Sequence, residues 1–190
     1  MANYTRTGFG QVEPNHLSAQ RTAQIYAQLP AAANIDILEN GQFVKYNYAA
    51  EQVDFAGKGE WMMVFNEVKL YDEWRESYKD FAMVKENYTP GNDDITHNGL
   101  GPFKGQMVPR VIKINVGDIW TTNTLFAGNT SGKAVVTEEV DLSTLVGQSL
   151  KVDGDTGFLV QGTDEKFELQ VVKAYTMADG QPAVKVMRIK

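Results

Sequence analysis

The sequence predicts a mainly β fold, a β-rich α+β arrangement. Antiparallel strands would form a compact barrel or sandwich, with an extended N-terminal arm and one or two short helices. Three observations carry this expectation. Apolar runs of strand length recur through the chain, turns rich in Gly, Asn and Asp separate them, and a clear helical period shows in one segment, residues 70–83.

The first 33 residues differ from the rest, with only three charged side chains, Arg6, Glu13 and Arg21, among many Ala, Gln, Asn, Thr and Gly. Tyr4, Phe9 and Val12 fit neither a period of 2 nor one of 3.6, so residues 1–14 read as an extended arm with these three as its partner-binding anchors. Ser18 as N-cap and Pro30 as a stop frame a short, weakly amphipathic helix over residues 18–29. Such an arm is either a frayed terminus or a segment that orders against a neighbouring subunit.

A body follows over residues 34–190. Two alternating apolar runs in 35–48 flank Asn40-Gly41, a dipeptide suited to a hairpin turn. A strand over 52–56 and a turn at Gly57-Lys58-Gly59 lead to residues 60–65, a bulky apolar run of buried-strand length. Leu70, Trp74, Tyr78 and Phe81 then recur at spacings of four, four and three, one stripe of a helix, with Asp72 as its N-cap. Residues 89–107 hold four glycines and two prolines, marking a long surface excursion or a boundary inside the body. Seven further strands are expected at 108–116, 118–125, 133–140, 149–152, 157–161, 167–177 and 183–189, with turns at Gly117, Gly154 and Gly180.

Composition narrows the function. The chain has no cysteine, which removes disulfides, thiolate metal sites and cysteine nucleophiles together. No apolar run is long enough for a membrane helix, and the N-terminus lacks the basic-then-apolar pattern of a signal peptide, so a soluble protein without membrane partners is expected. Acidic residues number 24 and basic ones 18, well interleaved, which argues against a nucleic-acid partner.

Motifs for chemistry are weak. Asp93, Asp94 and His97 make the nearest approach to a metal cluster, but Asp/Asn/Gly loops arise from turn chemistry alone, and no metal or other cofactor is predicted. Asp153-Gly154-Asp155-Thr156-Gly157 is similar to the start of a calcium loop, but Asp164 stands where that loop needs Glu; a hairpin turn reads better. Glu138 and Glu139, adjacent on a strand, would point to opposite faces and are poorly placed to flank one bond. No catalytic residue is assigned. An enzyme would need carboxylates assembled by the fold, with Asp93, Asp94 and Asp118 the best candidates.

The aromatics Trp61, Phe65, Trp74, Tyr78 and Phe81 read as core. Trp120 is the candidate exposed aromatic, because alternation puts it and Ile119 on opposite faces. Exposed, it would suit a carbohydrate platform.

Three stretches carry a resemblance. They are Asp36-Ile37-Leu38-Glu39-Asn40-Gly41-Gln42-Phe43-Val44-Lys45-Tyr46, Val116-Gly117-Asp118-Ile119-Trp120-Thr121-Thr122-Asn123 and Val184-Lys185-Val186-Met187-Arg188-Ile189-Lys190. With the Gly/Asn/Gln-rich arm before them, the layout resembles the decoration or cement proteins of tailed-bacteriophage heads and their head-fibre-like relatives. The resemblance implies a noncatalytic structural protein of the virion, made in the host cytoplasm. It would bind the major capsid protein lattice, often as a homo-oligomer, with a trimer favoured, and lace its arm across neighbouring subunits. The segments 70–83 and 89–107 enlarge this chain beyond the smallest members of that group. A carbohydrate-binding module displayed on a particle surface is the alternative.

Overall fold

The structure, a computed structural model, describes residues 10–19, 29–35, 38–65, 108–126, 141–177 and 180–190. Among them the chain forms ten strands: β1 (Val12–His16), β2 (Phe43–Asn47), β3 (Gln52–Asp54), β4 (Met62–Val64), β5 (Val111–Ile112), β6 (Ile119–Thr122), β7 (Ser149–Val152), β8 (Leu159–Gln161), β9 (Leu169–Thr176) and β10 (Pro182–Arg188). They make two antiparallel sheets, one ordered β1-β6-β10-β9-β7-β8 and the other β3-β2-β4-β5. The fold is β-rich, as the sequence predicts.

The larger sheet curls onto itself. Phe126 N–H donates to Leu159 O (2.8 Å) and Leu159 N–H to Thr124 O (3.1 Å), a parallel pairing between β8 and the continuation of β6. Strands β6, β10, β9, β7 and β8 therefore close a five-stranded barrel, with β1 laid on the free side of β6. The parallel contact is a geometric necessity, since an odd number of alternating strands leaves one neighbouring pair running the same way. Inside lie Trp120, Leu150, Leu159, Leu169, Val171, Val184 and Val186, each from a barrel strand.

The small sheet is buried on both faces. Phe43, Met63 and Ile112 join the barrel core, while Val44, Tyr46, Met62, Val64 and Val111 build a second core with Ala31, Ala32, Ile35 and Leu38. The split follows the two-residue period of a strand. Double burial is also why Met62-Met63-Val64 reads as an unbroken apolar run rather than an alternating one.

Several expectations change. Asn40-Gly41 turns the chain, with Gly41 at φ +89°, but it does not join two paired strands. Its N–H donates to Val64 O (2.9 Å), and the hairpin partner of β2 is β3, through a turn in which Asn47 Oδ1 accepts from Ala50 N–H (3.2 Å). A side chain at residue 41 would also strike the Thr124 and Thr122 hydroxyls, because a β-carbon there would lie only 2.5 and 2.7 Å from their oxygens.

The boundary expected at residue 33 does not divide the described structure. Leu17 and Ala19 lie in the barrel core, and Ala31 bridges Val53 in parallel. A helical turn begins at Ser18, and Leu142–Leu145 is a 3-10 turn capped by Asp141. The rest of the 18–29 helix, the 70–83 helix, the 89–107 loop and the 133–140 strand lie outside the described residues. The Asp153 loop is a turn between β7 and β8: Asp153 Oδ2 accepts from Thr156 N–H (3.1 Å) and Thr156 Oγ1–H (2.6 Å).

Candidate functional site

Polar residues are placed where they fasten remote parts of the chain, most densely around the N-terminal strand. β1 is an edge strand, antiparallel to β6, with an irregular register between Pro14 and His16. Its sequence offers little apolar surface, so side-chain hydrogen bonds do much of the holding. Tyr175 of β9 donates its phenolic hydrogen to Glu13, and its oxygen lies 2.8 Å from Thr121 Oγ1. Thr121 in turn contacts Asn15 Oδ1 at 3.2 Å. Burial first, and then the Glu13 carboxylate, push the Tyr175 phenol above its ordinary range. At either end of β1, Gln11 N–H donates to Asn123 Oδ1 (2.8 Å), and Ser18 N–H and Oγ–H both donate to Asp118 Oδ1 (3.0 and 2.5 Å).

A second fastening centres on Arg188, buried at the end of β10. Its guanidinium donates to Glu60 Oε1 (2.6 Å), the Lys190 carbonyl (2.5 Å) and the Ile114 carbonyl, and it lies over the Phe167 ring at 4.4 Å. Beside it, Glu168 accepts from Lys190 Nζ (2.5 Å) and Ser149 Oγ (2.6 Å). Burial alone would raise the Glu60 carboxyl, but hydrogen bonds from Arg188 and Lys113 outweigh it and hold the group below the usual carboxylate range. Lys190 and then Ser149 depress Glu168 in the same direction.

A pH dependence follows. A carboxyl held low in the folded chain contributes stability that is intact above its unfolded value, about 4.3 for Glu. That contribution is lost as pH falls through the depressed folded value. Chemical denaturation at a series of pH values is expected to show this loss below about pH 5, and a Glu60→Gln, Glu168→Gln double variant a flatter acid limb. Parallel acid limbs for both proteins would contradict the assignment.

The residues singled out by sequence fare differently. Tyr4, Phe9, Asp93, Asp94, His97, Glu138, Glu139, Trp74, Tyr78 and Phe81 lie outside the described residues. Val12 pairs with Thr122 and packs against the barrel core of its own chain, so it is no free anchor for a partner. Trp120 is fully buried, correcting its candidacy as an exposed aromatic; of the two faces of β6, its own points inward, against Phe43 at a ring distance of 6.3 Å. Trp61 is partly buried, and Lys45 Nζ covers its ring at 4.2 Å. Asp118 is engaged by Ser18 and by Asn115 N–H (2.8 Å), a fastening role that leaves little for chemistry.

Sequence reasoning missed Glu13, Tyr175 and Arg188. For Arg188 a signal was present: it follows Val184 and Val186 on the inward face of β10, and a charge on an apolar face implies a buried partner. Glu13 and Tyr175, 162 positions apart, carried none.

Among the described residues no cluster of three or more His, Cys, Asp or Glu side chains could hold a metal ion, and no helix is long and apolar enough to cross a membrane. No family model matches this chain, and no curated protein or solved structure matches it.

Proposed function

We propose that the chain is a noncatalytic structural subunit of a phage particle that decorates or cements the capsid lattice, carried on the virion as a homo-oligomer. The observation that supports this most is the use of buried polar groups as cross-braces. Arg188 ties β10 to Glu60 across 128 positions, and Asp118, the residue before β6, is tied to Ser18 across 100. Such links resist relative movement of strands, which suits a part that bears load. The β1 edge then carries the chain towards Phe9 and Tyr4, where strand addition or pocket filling on a neighbouring subunit would act. Repetition over a lattice would raise residence without stronger single contacts.

The test is co-sedimentation with undecorated heads, comparing the full chain with one lacking residues 1–9. That cut removes Tyr4 and Phe9 and spares β1. Saturable binding by the full chain, weakened by the cut, is expected. Folded full-length protein that leaves the heads bare would sink the reading. The carbohydrate alternative has lost its platform at Trp120, and Lys45 covers Trp61.

A further inference from the structure

We propose that the outward face of β9 and β10, centred on Lys173 and Lys185, docks against a protein surface that presents carboxylates. The inference rests on the lattice reading and names the part of this chain that meets the lattice.

Lys185 and Lys173 stand directly opposite each other in the antiparallel pairing of β10 with β9. Directly opposed like charges destabilise a sheet, and an acidic residue at either position would remove the conflict. Neither lysine has an ion pair among the described residues; Lys185 Nζ rests 5.9 Å from the centre of the Tyr175 ring. The nearest acid in the same row of the sheet, Glu13, is already hydrogen-bonded by Tyr175. Among the described residues, this chain of net charge −6 thus sets two lysines without an ion pair side by side on one outward patch.

The backbone beside the pair is also irregular. The register shifts between Lys185 and Val186, and the extra residue on β9, Val172, turns outward and is 45% exposed. Bulges re-aim side chains in this way. Val146, 46% exposed, sits in the turn fastened to the same strand, since Gly147 N–H donates to Val171 O (2.8 Å). Cations next to exposed valines fit a protein partner with carboxylates around a small apolar centre. Two lysines on an acidic chain are too few to track a phosphodiester backbone.

The experiment uses the full chain and Lys173→Glu, which replaces repulsion with an in-register ion pair and so is expected to melt at or above the wild-type temperature. Binding is read on undecorated heads, on immobilised poly-L-glutamate and on poly-uridylate. The wild type should bind heads and poly-L-glutamate in a salt-sensitive manner, with K173E about tenfold weaker or worse on both. Equal binding of heads by wild type and K173E overturns the docking face and leaves the lattice reading standing. Wild type that ignores heads but holds poly-L-glutamate through Lys173 removes the lattice and keeps the carboxylate-binding face. Binding of neither overturns both, and a preference for poly-uridylate overturns the choice of a protein partner.

Discussion

Replacing Trp120 by alanine is expected to destabilise the protein by about 3–5 kcal/mol, the range for emptying a fully buried aromatic site. For a chain of this size that corresponds to a fall in melting temperature of roughly 6–20 °C. The indole fills the centre of the barrel against Phe43, which itself meets Phe167 edge-on at 5.3 Å, so the cavity would open among three rings and could not collapse cheaply. Trp120→Phe should cost far less. It keeps an aromatic ring and removes an indole N–H that is buried without a hydrogen-bond partner, a group whose desolvation costs about 1–3 kcal/mol. Thermal melts followed by circular dichroism compare the two. A Trp120→Ala protein that melts with the wild type would return this residue to the surface and restore the carbohydrate platform.

Arg188→Met is the second large effect, at about 3 kcal/mol. The substitution keeps much of the apolar stem over Phe167 but strips donors from Glu60 and from the carbonyls of Ile114 and Lys190. The lower end of the range for a broken buried pair applies because the Glu60 side chain is 37% exposed and water can take over part of its solvation. Adding Glu60→Gln to Arg188→Met should cost little further, since the Arg188 contact is already gone and only the solvent-exposed pair with Lys113 remains to be lost. Urea denaturation of both single variants and the double variant measures the coupling. Simple additivity would mean that the guanidinium acts through the carbonyls alone.

Much of the barrel is legible in the sequence. β7 and β9 fall inside the runs expected at 149–152 and 167–177, β10 overlaps 183–189 from one residue earlier, and each carries apolar alternation bounded by turn residues. Local signals suffice there because one face of each strand meets the core and the other meets solvent. The N-terminal part misleads for a physical reason. Ile35 and Leu38 are buried as in a strand, but what buries them is the second core beneath the small sheet, so their spacing mimics a hairpin arm. β1 has the opposite problem. Val12-Glu13-Pro14-Asn15-His16 has almost no apolar period, and its pairing is set by side chains of β6 and β9 that no local window contains. The direction of Trp120 is undetermined by sequence because Thr121, Thr122, Asn123 and Thr124 put polar residues on both faces of the strand, and the fold buries all four.

The position of β10 has a consequence for how the chain is made. It lies between β6 and β9, and β6 in turn supports β1, so the earliest described strand depends on one of the latest. During translation β6 leaves the ribosome long before its neighbour exists. Its inward face and one open backbone edge must wait, exposed, until β10 emerges and inserts. Closure of the barrel therefore waits for β10 to emerge, and slowing elongation ahead of residue 182 would lengthen the period in which nascent chains can pair with each other through β6.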